Sequence, residues 1–168
     1  AHNNDDQTKA PFYFAGAKFL ATNGLAVTDN HVHNNHGYGL WTLEDNINTL
    51  VRGNVIEDNW WGGISHDKSY AVTIDDNEFY RNGLKAVDAA GGHDHYYGAV
   101  KITGPNATVT NNYLEGNFNG VVAIGYGLDS ASGLYGLLRP VDTTVTENTI
   151  VESGNTGLVT DVAADVFR

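Results

Sequence analysis

The chain has 168 residues, a length suited to one domain, with a formal net charge of −11 and no cysteine. That charge argues against nucleic acid and anionic membranes as partners and weighs against a polyanionic substrate, while the missing cysteine excludes disulfides, thiolate metal sites and cysteine catalysis. No run of eighteen apolar residues is present, so no membrane span is expected, and a chain without methionine suits a processed secreted protein or an excised segment alike.

One phrase recurs along the chain. A short alternating apolar run ends in Asn, a second Asn follows five residues later, and glycine comes after it. Asn54 and Asn59 are matched by Asn77 and Asn82 and by Asn112 and Asn117, then more loosely by Asn30 with Asn34 and Asn35 and by Asn148 with Ser153. The first Asn returns after 24, 23, 35 and 36 residues. A period in the twenties, lengthened twice by insertions, marks a solenoid. No stretch holds a 3.6 periodicity over ten residues. Runs such as 71–74, 107–110 and 143–146 are short, β-branched and alternating, as strands are. Each strand is expected to pair in parallel with its counterpart one coil away. Asn suits the corners because it tolerates left-handed backbone and because buried amides can bond into a ladder.

In chain order, residues 1–24 form an N-terminal segment with a degenerate first coil, and 25–168 the repeats proper. The aromatics of 11–20 are expected to cover the open end of the core. In the first clear coil, 25–41, His31 and His33 flank Val32 and point outward if Val32 is core. As an i, i+2 pair they suit a metal, but a third ligand must come from elsewhere and no metal site is assigned. The second coil carries Trp60 and Trp61, which cannot both face the core of a strand. One indole therefore belongs at the surface or a corner, where it can stack on a sugar ring. Aligning the coils sets Leu40 beside Ile64, Trp41 beside Ser65 and Thr42 beside His66. An insertion around 84–97 places His93 and His95 before Tyr96 and Tyr97, titratable and stacking groups on one loop. In the next strand Lys101 points outward and shares a ladder with Trp41 and Ser65. The second insertion, 125–140, is expected to leave at nearly the same place in the repeat and to pack down through its four leucines. The last coil stops without a cap, which favours self-association through the solenoid ends.

The phrases Asn-Val-Ile-Glu-Asp-Asn at 54–59 and Asn-Tyr-Leu-Glu-Gly-Asn at 112–117 resemble the right-handed parallel β-helix repeat family. This is the pectate-lyase-like superfold, with alginate lyases and mannuronan epimerases as relatives, and the resemblance covers roughly residues 25–160. It implies an all-β fold, a right-handed parallel β-helix of about five to six coils with loop insertions in two of them. It also implies a secreted or cell-surface protein facing a polysaccharide or glycan surface, and it is the sole ground for naming calcium as a cofactor. Lyases and epimerases of this kind abstract a proton beside a uronate carboxyl, which needs a base near neutrality and a cation for the carboxylate. His66 and His95 are the candidate bases, and Lys101 and Arg81 the candidate cations. Trp41, Trp60, Trp61, Tyr96, Tyr97 and His93 are the candidate binding groups. The Asp-Pro-His-Asp motif of the epimerases is missing, and only Asp75 and Asp76 echo the acidic calcium strand of the pectate lyases. Whether the chain is an enzyme stays open. Two expectations stand side by side: a carbohydrate-binding or carbohydrate-active β-helix, such as a lyase, an epimerase or a domain of one, and a non-catalytic structural or adhesive module that stacks end to end.

Overall fold

The computed structural model describes residues 14–85, 96–125, 132–160 and 166–167. Three short strands make each coil. The first holds β1 (Ala15–Leu20), β2 (Ala26–Thr28) and β3 (His31–His33); the second β4 (Tyr38–Leu43), β5 (Thr49–Arg52) and β6 (Val55–Glu57). The third holds β7 (Gly62–Asp67), β8 (Val72–Asp75) and β9 (Glu78–Tyr80); the fourth β10 (Gly98–Ile102), β11 (Ala107–Thr110) and β12 (Tyr113–Glu115). In the fifth, β13 (Asn119–Ala123) is followed by a hairpin of β14 (Ser132–Gly133) and β15 (Gly136–Leu137), then β16 (Thr144–Thr146) and β17 (Thr149–Val151). A last partial turn adds β18 (Thr156–Thr160) and β19 (Val166–Phe167). Like pairs with like, in parallel, in three sheets ordered β1-β4-β7-β10-β13-β18, β2-β5-β8-β11-β16-β19 and β3-β6-β9-β12-β17. The chain is thus a parallel β-helix. Regular winding is already present at Ala15, in register with Tyr38, ten residues ahead of the point where the repeat becomes legible.

Alternation fixes which side chains enter the coil. Val27, Val51, Ile74, Val109 and Val145 stand in register on the second sheet. Val32, Ile56, Phe79, Leu114 and Ile150 do so on the third, and Leu40, Ile64, Val100, Val121 and Leu158 on the first. The three columns meet in one interior cluster. At about 1.5–3 kcal/mol for each fully buried side chain, they dominate the stability of the rod.

Buried amides hold the corners. The Asn54 backbone N–H and Nδ2 both donate to Asn77 Oδ1, at 3.0 and 2.9 Å, and Asn77 repeats the pattern onto Asn112 at 2.9 and 2.9 Å. Spare amide hydrogens reach backbone carbonyls, as from Asn77 Nδ2 to Val51 O at 3.0 Å. A second ladder runs Asn35, Asn59, Asn82, Asn117. One sequence-based expectation needs correcting here. The left-handed residue at each corner is the one before the ladder Asn: Asp29, Gly53, Asp76, Asn111 and Glu147 at one corner, and Asn34, Asp58, Arg81, Gly116 and Glu152 at the other. The ladder amides themselves keep ordinary backbone. A third corner, invisible in the Asn spacing, is bridged by Thr22 Oγ1 donating to Asn46 Oδ1 at 2.6 Å and Asn46 Nδ2 donating to Ser69 Oγ at 3.1 Å.

The insertions also depart from expectation. The first lies between β9 and β10 and the second between β13 and β16, so they leave from different corners and flank opposite edges of the first sheet. Leu128 lies outside the described residues, and what they show of the second insertion is tied down by Tyr70: its hydroxyl donates to Gly136 O at 2.8 Å and accepts from Gly133 N–H at 3.0 Å. Leu138 is buried, whereas Leu134 and Leu137 are exposed.

Candidate functional site

The second Asn ladder dictates what stacks outside it. Trp60 N–H donates to Asn35 O at 3.0 Å, Gly83 N–H to Asn59 O at 2.9 Å and Phe118 N–H to Asn82 O at 2.9 Å. The residues that follow the amides therefore form a column of their own: His36, Trp60, Gly83, Phe118. His36 and Trp60 stack with ring centroids 3.8 Å apart. Gly83, one coil on, places no side chain over the indole. A pocket of about 140 Å³ opens at this gap, lined by Asn34, Asp58, Asn59, Trp60, Arg81, Leu84 and Lys85.

Arg81 is fixed at its rim. Its Nε donates to Asp58 Oδ1 at 2.9 Å, and its Nη2 to Asp58 Oδ2 and Glu57 Oε2, both at 2.7 Å. The bonds to Asp58 first, then Glu57, hold the guanidinium above its ordinary pKa, and Nη1 has no partner among the described residues. The left-handed backbone of Arg81, φ 53°, belongs to the whole corner column and marks no strain special to this site. Lys85 Nζ lies 4.8 Å from the Trp60 ring centre.

The other sequence candidates lie elsewhere. Trp41, Ser65 and Lys101 do share an outward ladder on the first sheet, as expected, but all three are buried. Trp61 and Tyr97 join Tyr38 there, with Tyr38–Trp61 at 5.9 Å and Trp61–Tyr97 at 5.9 Å. Lys101 Nζ sits 5.8 Å from the Tyr38 ring centre, and Tyr96 is exposed. His93 and His95 lie outside the described residues.

His66 is not on the exterior face. It stands beside Thr42 as the alignment required, but alternation from inward Ile64 through outward Ser65 turns it into the coil, in register with Phe19, Thr42, Ile102 and Ala123. It is fully buried, with Nδ1 2.7 Å from Thr42 Oγ1 and Nε2 without a hydrogen-bond partner among the described residues. Burial drives its pKa down to about 4 against the opposing pulls of the Tyr70 backbone and Asp67. A base sealed in this way cannot reach a polymer. Among the described residues the acid–base candidates thus do not converge.

Metal ligands do not converge either. His31 Nε2 meets Glu57 Oε1 at 2.7 Å, and His33 stands beside Glu57 in register, yet no three such groups among the described residues surround a common point. Asp75, the echo of a calcium strand, pairs with Arg52 at 3.4 Å and accepts from Asn111 Nδ2 at 3.0 Å. These residues do not fit a calcium site.

The pocket thus gathers Trp60 and Arg81 from the sequence candidates and adds Asn34, Asp58, Asn59, Leu84 and Lys85, with His36 stacked behind the indole. The signal that points to them is the column after the second Asn, where a glycine follows a tryptophan. A family model described as a right-handed beta helix region matches residues 2–100. No curated protein and no solved structure matches the chain.

Proposed function

The chain belongs to the right-handed β-helix family, and on that premise we propose that it is a glycan-binding solenoid that seats a sugar ring against Trp60. What supports this is the gap left by Gly83, which sets an indole in a pocket rimmed by hydrogen-bonding groups. A sugar ring offers an apolar C–H face and a polar edge, and an aromatic plate with polar neighbours complements both. Arg81 Nη1 supplies a pre-oriented donor, Asp58 and Asn34 supply acceptors, and Lys85, whose Nζ lies over the indole, gives way to an entering ring. At about 140 Å³ the pocket is smaller than the roughly 300–1,000 Å³ of sites that enclose a ligand, so it grips one unit of a longer chain. Roughly 0.3 kcal/mol for each of about a dozen heavy atoms gives about 4 kcal/mol, a Kd near 1 mM.

Arg81 is already neutralised by Asp58 and Glu57, so a carboxylated sugar gains little from it, and among the described residues no group placed to abstract a proton stands nearby. The function is binding without bond cleavage, at a secreted or cell-surface location where glycan polymers lie. Titration with neutral oligosaccharides, followed by tryptophan fluorescence and NMR, tests it. Trp60→Ala is expected to raise Kd at least tenfold while the β-sheet circular dichroism stays unchanged. Equal binding by that variant, or no binding of any oligosaccharide up to about 20 mM, would show the proposal to be wrong.

A further inference from the structure

The outer face of the third sheet continues from this pocket. In the register of β9 and β12, Glu78 stands beside Tyr113 and Tyr80 beside Glu115. Two aromatics therefore occupy one diagonal of a square and two carboxylates the other. The rings lie 5.9 Å apart, tilted by 52°. Residues i and i+2 share a face of a strand, so each phenol reaches the carboxylate on its own strand: Tyr80 donates to Glu78 Oε2 at 2.8 Å and Tyr113 to Glu115 Oε2 at 2.9 Å. These bonds push the Tyr80 phenol up to about 12 and raise that of Tyr113, so both rings are neutral and pinned. The second oxygens of Glu78 and Glu115 make no hydrogen bond with the described residues. Glu57 and Asp58 border the square on one side, and Glu152 acts on Tyr113 from the other. Arg81 joins this face to the pocket: its guanidinium carbon is 6.0 Å from the Tyr80 ring centre, and it also lines the cavity at Trp60.

We propose that this square recognises ammonium groups and extends the Trp60 pocket into a track for a polycationic glycan of the glucosamine class, an inference that rests on the glycan-binding role given to that pocket. The face of an aromatic ring attracts a cation through its quadrupole, and a carboxylate at the ring edge adds a charge-assisted hydrogen bond. The Tyr80 ring already carries the Arg81 guanidinium, so the Tyr113 ring offers the face, with Glu78 and Glu115 beside it on neighbouring coils about 4.8 Å apart. The same carboxylates repel a uronate chain, so the track discriminates by charge as well as by stacking. A flat, open sheet face suits an extended polymer better than a free amine.

Tetrasaccharides of glucosamine, N-acetylglucosamine and galacturonate, titrated at low ionic strength into the whole chain, test the proposal. The glucosamine oligomer is expected to bind at least tenfold more tightly than its acetylated counterpart, with galacturonate weakest. Salt near 1 M, where screening acts within about 3 Å, removes the preference. Combining Glu78→Gln with Glu115→Gln, which preserves shape, brings the first two ligands within threefold of each other. Tyr113→Ala weakens glucosamine binding tenfold or more, whereas Tyr113→Phe, which keeps the ring, retains most of it. Equal affinity for the glucosamine and acetylated oligomers overturns the charge selection and leaves the Trp60 pocket standing. Tetralysine binding as tightly as the glucosamine oligomer overturns the glycan class in favour of a basic peptide. If no oligomer binds at all, pocket and track fall together.

Discussion

Burial of His66 makes the stability of this β-helix depend on pH between the folded and unfolded pKa values of its ring. The imidazole stands inside the coil with its pKa lowered from 6.5 to about 4, chiefly by burial. Above pH 6.5 it is neutral in both folded and unfolded chains and contributes nothing to the pH dependence. Between 6.5 and about 4 the unfolded chain binds a proton that the folded chain refuses, so stability falls as pH falls; below about 4 the loss is complete. At about 1.4 kcal/mol for each pH unit, the loss comes to about 3 kcal/mol. For a chain of this size that lowers Tm by about 6–12 °C. Carboxylates titrate at the lower end too, so the quantity to measure is a difference. His66→Leu removes the titrating ring, and urea unfolding of both proteins, read by tryptophan fluorescence at intervals from pH 7.5 to 4.5, isolates its share. The wild-type chain should lose about 2–3 kcal/mol more than the variant over that range. Parallel stability curves, or NMR signals of the His66 ring that titrate near 6.5 in the folded wild-type chain, would refute the reasoning.

Three more substitutions probe the corners. Asn77→Ala takes away the carbonyl to which Asn54 donates twice and the donor that reaches Val51 O, all in buried surroundings; it should cost about 3 kcal/mol in chemical denaturation. Asn148→Ala, at a half-buried rung whose amide donates to backbone only, should cost at least 1 kcal/mol less on the same measure, and equal costs would deny that the ladder is cooperative between coils. Gly83→Ala meets a backbone φ of +81° and places a Cβ 3.3 Å from Gly98 N and from Phe118 Cβ, so a loss of about 2 kcal/mol is expected in the same assay.

The path of the chain was legible where one residue type does one job in every coil. A buried amide that must accept from the amide before it and donate to the amide after it has few substitutes, and so Asn54, Asn77 and Asn112 announce their corner. The third corner stayed hidden because a hydroxyl, an amide and a second hydroxyl fill equivalent rungs at Thr22, Asn46 and Ser69. Chemically they are alike as bond formers, but a search for a repeated letter passes over them. The insertions were legible as lengths and not as places. The interval from one first Asn to the next adds up all three sides of a coil, so 35 or 36 residues reveal that a loop exists without telling which corner it leaves.

The site was harder to see, for a different physical reason. Sequence candidates are groups that carry charge, protons or rings, and three of them prove to be buried: His66, which alternation from Ile64 turns inward, and Trp41 and Lys101, which are covered although they stand on the outward ladder. What shapes the pocket is instead a position with no side chain. A solenoid fixes the axial place of every residue by its hydrogen-bond ladder, so relief on its surface arises only from differences in size down a column. In the column His36, Trp60, Gly83, Phe118, the step from the largest side chain to none makes a cleft whose floor is held by the amide ladder. The same logic explains the neighbouring square. Glu78 and Tyr80 on one strand, Tyr113 and Glu115 on the next, look like ordinary surface residues when read along the chain, and their alternation acquires meaning only when β9 and β12 are laid side by side. For such a rod, recognition sites are properties of columns and squares, which the linear order of residues conceals and the stacking of coils restores.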